Sequence, residues 1–92
     1  MMVDRSLLSG ALEAANKVGG LDTAAALSQV ADAIELSGNK DAAASFNAFN
    51  EELQQPMPRQ SLLSSCWNAL VEELPTIADL AGAPTAVVAL FA

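Results

Sequence analysis

The side chains in this sequence that could do chemistry are carboxylates and a single thiol. Asp32 and Glu35 lie three residues apart, and Glu51-Glu52 and Glu72-Glu73 are adjacent pairs. Two carboxylates act as acid and base only where a cleft drives their pKa values apart, and a 92-residue chain has little material to build one. Solvated helix faces are the simpler reading of all three pairs. The sequence holds no histidine and no tyrosine, which removes the usual general base and the commonest zinc ligand. No glycine-rich phosphate loop, paired-cysteine site or calcium-loop pattern occurs. Cys66 is the one cysteine, so no intramolecular disulfide can form and a reducing, cytoplasmic setting is expected. It sits beside Trp67 in an apolar pattern, with no histidine to activate it, and reads as a structural thiol. These residues predict a protein that is not an enzyme, with no catalytic residue, cofactor or metal.

Apolar residues make up 52% of the sequence, much of it alanine. Alanine favours helix and close helix approach but adds little buried area per residue. Three phenylalanines and one tryptophan (Phe46, Phe49, Phe91 and Trp67) are therefore expected to dominate the packing. The net charge of −7 opposes nucleic acid and anionic lipid and suits either solubility or a basic protein partner. The N-terminal residues lack the apolar region of a signal peptide, and no uninterrupted run reaches the ~20 apolar residues of a spanning helix.

The elements follow from periodicity and punctuation. A first helix is predicted over about 5–18, capped by Asp4 or Ser6, with Leu8, Leu12, Ala15 and Val18 on one stripe and Gly19-Gly20 as its end. A second, over 22–37 and capped by Asp22, buries Ala26, Leu27, Val30, Ala31 and Ile34 and turns Gln29, Asp32 and Glu35 to water. A third, over 40–54, carries the seam Ala42, Phe46, Phe49 and Leu53, with Lys40, Asn47, Asn50, Glu51 and Gln54 opposite. Residues 55–58 form a turn, because the residue before each of Pro56 and Pro58 is driven out of helical geometry. A fourth helix, over 59–74, has a broad apolar face of Leu62, Leu63, Cys66, Trp67, Leu70, Val71 and Leu74. A fifth, over 76–91, starts with a turn of contact by Ile77, Leu80 and Ala81 and is kinked or split near Gly82 and Pro84. No strand pattern occurs. One all-α domain is expected, a compact bundle of four to five short helices over residues 1–92.

From Gln60 onward there is no lysine or arginine, and large apolar residues crowd together. That surface needs a cover: the rest of the protomer, a second protein or a lipid surface. Membrane contact lacks basic flanks and is interrupted by Pro84. Trp67, Leu70, Ile77, Leu80, Val87, Val88, Leu90 and Phe91 are the candidate interface residues, since tryptophan and phenylalanine are enriched where proteins meet.

The run Glu52-Leu53-Gln54-Gln55-Pro56, Pro58, Ser61-Leu62-Leu63, Trp67, Leu74-Pro75-Thr76 and the closing apolar stretch resembles a helical accessory region of bacterial effector and defence-associated proteins. The resemblance covers residues 51–92. It implies a proline-containing turn before two apolar helices, and no catalytic residue comes with it. Members of that group carry more lysine and arginine around the fourth helix, where this chain has only Arg59. The expected function is a non-enzymatic module that binds itself, as a homo-oligomer, or another protein. The alternative is an acidic inhibitor or immunity-type protein that blocks a basic nucleic-acid-binding or toxin surface.

Overall fold

Asp4 opens the first helix as its position predicts: one carboxylate oxygen accepts the N–H groups of Ser6 (2.9 Å) and Leu7 (3.1 Å), satisfying two of the donors a helix start leaves orphaned. The helix, α1, runs Arg5–Gly19. Gly20 separates it from α2, Leu21–Ser37, and Asn39 caps α3, Lys40–Leu53. The proline turn leads into α4, Gln60–Glu73. A 3-10 turn over Pro75–Asp79 and a short helix, α5, Ala83–Val88, complete the fold. These assignments come from a computed structural model that describes residues 3–80 and 82–91. The contact expected of Ala81 lies outside the described residues. Among the described residues there is no strand, and the architecture is an all-α bundle.

Side-chain-to-backbone ties set how the helices lie on one another. α1 and α2 fold back together, with the Val3 N–H donating to Glu35 (3.3 Å) and Arg5 pairing with the same carboxylate at 3.7 Å. Glu35 is thus half-buried and engaged, not turned to water. α3 and α4 form a second hairpin. At one end the Asn39 side-chain amide donates to the Glu73 carbonyl (2.8 Å) and the Ser45 hydroxyl to its carboxylate (2.6 Å). At the other end Glu52 accepts the Arg59 N–H at 2.8 Å. The hairpins join where Asn47 accepts the Asp4 N–H (2.9 Å) and Gln54 donates to the Leu7 carbonyl (2.7 Å). Gly10 makes that last contact possible, because a Cβ there would run into the Gln54 amide.

The core is centred on Phe46, Phe49, Leu27, Ile34, Leu63 and Leu70, all fully buried. Around them Ala11, Ala15, Ala26, Ala31, Ala42, Ala43 and Ala83 fill the close helix crossings. Full burial of each large apolar side chain stabilises by ~1.5–3 kcal/mol, so these few residues carry a core whose alanines add little. The close approach shows in a radius of gyration of 11.4 Å, against about 12 Å for a domain of this length.

Four further expectations need correction. Val18 is 70% exposed, because the α1 stripe leaves the bundle in its last turn. Asp22 does not cap α2; Gly20 holds that position and Asp22 sits in the first turn, where its charge suits the helix dipole. The fifth helix does not fill 76–91: split near Gly82 as expected, it consists of the 3-10 turn, which ends where Leu80 is extended, and α5, which Gly82 opens at φ 75° and which stops at Val88. Asn50, assigned to the solvent face, is fully buried, and neither polar atom of its amide finds a partner.

An unpaired buried amide costs about 1–3 kcal/mol. Asn50→Leu, which keeps the branching and removes the polar atoms, should therefore raise unfolding stability in urea by about 1 kcal/mol or more. A loss of stability on that substitution would contradict this reading of the site.

Candidate functional site

The carboxylate pairs do not assemble. Glu35 is held by Val3 and Arg5 while Asp32 points outward. Glu51 is exposed, whereas Glu52 is buried and its Oε2 accepts the Arg59 backbone N–H and faces the guanidinium Nε at 3.6 Å. Glu73 meets the Ser45 hydroxyl, a neutral partner in place of the basic contact the pair at the end of α4 hinted at, and Glu72 is exposed. Among the described residues no group of three or more histidine, cysteine, aspartate or glutamate side chains could hold a metal ion. Glu52 was not singled out by periodicity. Its signal was Arg59 seven residues on, across a proline turn that brings the chain back.

Cys66 is half-buried against the core. Desolvation pushes its thiol pKa up, and the negative charge of Glu52 pushes it further in the same direction. The thiolate is the nucleophile, so the site disfavours the reactive form.

The candidate interface residues separate into two groups. Trp67, Leu70, Ile77 and Val87 are buried inside the protomer, and in this conformation none of them is available to a partner. Their placement is a correction: the apolar run after Gln60 finds most of its cover on α2 and α3. Leu80, Val88, Leu90 and Phe91 are half-buried, packed on the core with one side outward. Phe91 lies edge-on to Phe49, with ring centroids 6.0 Å apart at 75°.

Pattern reading did not identify the outward apolar residues Leu36, Met57 and Leu21, which are 90%, 86% and 78% exposed. Leu36 and Leu21 lie at the two ends of α2, and Met57 stands between two prolines on the turn. Two open hollows accompany them. One, by the proline turn, is lined by Glu51, Glu52, Gln55, Met57 and Arg59. The other lies between α2 and α5, lined by Asp22, Ala25, Gln29, Ala83, Thr85 and Ala86. No helix among the described residues is long and apolar enough to cross a membrane.

Comparison with known proteins found no family to which the chain can be matched, no similar curated protein and no similar solved structure. The geometry above is therefore the basis for any functional reading.

The Cys66 environment makes a direct prediction. At neutral pH iodoacetamide should alkylate Cys66 in the folded chain several-fold more slowly than in the urea-unfolded chain. A faster reaction in the folded state would show an activated thiol instead.

Proposed function

We propose that this chain is a non-enzymatic helical interaction module that associates with itself. The supporting observation is that Leu80, Val88, Leu90 and Phe91 of the C-terminal segment stay only half-buried against the core. Next to it, α5 forms one wall of the open groove against α2. Apolar area left half-covered on a rigid support is the kind of surface that gains most from a protein partner, because little ordering entropy is lost on docking. The resemblance of residues 51–92 to bacterial effector and defence-associated helical regions supports a bacterial defence or toxin-related setting. Sedimentation equilibrium across a wide concentration range should reveal reversible dimers or higher oligomers. A strictly monomeric chain at millimolar concentration would rule self-association out.

The alternative reading, an acidic inhibitor or immunity-type protein, is supported by the use of the cations. Arg5 and Arg59 are engaged with Glu35 and Glu52, while most of the remaining acids are exposed. Such a surface steers toward a basic toxin or nucleic-acid-binding protein. Its affinity for an immobilised cationic nuclease should fall at least tenfold between about 50 and about 300 mM salt, as charge screening shortens. Binding that is flat across that range would exclude an electrostatic inhibitor.

A further inference from the structure

We propose that a second copy of this chain docks on the face formed by the α1–α2 tip and the α2–α5 groove, with Leu21 of each copy entering the groove of the other. The proposal rests on the self-association reading above and places the contact at the α2–α5 groove in place of the half-buried Leu80, Val88, Leu90 and Phe91.

The projecting part and the hollow lie on one face. Leu21 opens α2 and is 78% exposed, and Val18, across the Gly19-Gly20 turn, is 70% exposed. One helical turn beyond Leu21, on the same side of α2, Ala25 begins the groove that Ala26, Ala83 and Ala86 continue between α2 and α5. The hollow measures about 560 Å³ and is open at the surface. Small side chains on both walls leave room for a leucine from outside. A protruding apolar residue next to its own receptor groove is the condition for an isologous two-fold contact, in which each copy gives and receives the same residue. A heterologous partner would need only the groove or only the projection.

The charges at this end also fit a second copy. The molecule carries a net charge of −7, so two copies repel over most of their surfaces. At the tip, however, Lys17 stands one residue before Val18, and Asp22 lines the groove one residue after Leu21. Neither takes part in an ion pair among the described residues. A two-fold contact brings the Lys17 of one copy toward the Asp22 of the other, twice. Such rim pairs add little affinity but set the register. A standard interface takes roughly 800 Å² from each partner, about a sixth of the 4987 Å² surface here. The tip and groove alone offer less, so a weak, concentration-dependent dimer is expected.

Sedimentation equilibrium of the full chain tests the proposal against three single variants, each checked for native helicity. Leu21→Lys removes the projection and Ala25→Arg fills the groove, and both positions are exposed, so the fold should persist. Leu36→Lys, at the far end of α2, is the control. Dimerisation should weaken at least tenfold in the first two variants and stay unchanged in the third. Carbodiimide treatment of mixed isotope-labelled and unlabelled wild type should link Lys17 of one copy to Asp22 of the other. A dimer that survives both Leu21→Lys and Ala25→Arg overturns this face while leaving self-association standing. So does a dimer without the inter-copy link. A wild-type chain that never dimerises overturns both readings.

Discussion

The ring of Phe49 lies between those of Trp67 and Phe91, with centroids 6.2 Å away at 54° on one side and 6.0 Å away at 75° on the other. These three side chains come from α3, α4 and the end of the C-terminal segment, so a single buried ring touches all three parts of the chain. Tilted and edge-on aromatic pairs contribute about 0.5–1.5 kcal/mol each beyond the area they bury. That increment is appreciable against the margin of a domain this small. The apolar tail, which by composition calls for a cover, finds one on Phe49. Any surface for association is then what remains outside after Phe91 has docked.

The polar ties act on a different property. Asn39, Ser45, Gln54 and Glu52 each bridge two helices, and three of them, Asn39, Glu52 and Gln54, lie at helix ends. They select one register for alanine-rich faces that would otherwise slide, since alanine presents few features to lock a crossing. Asn50 works against the same core: it is a buried amide of α3 without partners. The bundle is thus held by a few large side chains and end ties, and its even, small-residue interior adds less.

Much of this arrangement was legible in the residues. The breaks at Gly20, Gly38 and the paired prolines divide the chain where the helices end, and the seam Ala42, Phe46, Phe49 and Leu53 is buried as its spacing implies. Asn50 was misread because its polar type outweighed its position, four residues after Phe46 and three before Leu53, which is the same side of the helix. The split near Gly82 was legible from that glycine and Pro84, but the apolar run to Phe91 suggested more helix than the Ala83–Val88 that forms. Tail residues assigned to an interface, Trp67, Leu70, Ile77 and Val87, are core. Periodicity identifies a face that must be covered but not which body covers it. Leu21, Leu36 and Met57 went unnoticed because single apolar residues at element ends carry no period at all.

The most direct test of the central role of Phe49 is the thermal unfolding of a chain truncated after Gly82, followed by circular dichroism with light scattering on the same sample. Truncation removes Val87 from the core and Phe91 from the Phe49 ring. The account predicts loss of the cooperative transition and of most helicity, since Phe49 of α3 loses the Phe91 ring and α2 loses its cover by α5. A truncated chain that stays helical and monomeric and melts near the full-length temperature would contradict it. The tail would then be an appendage, and the core would have to be complete within α1 to α4.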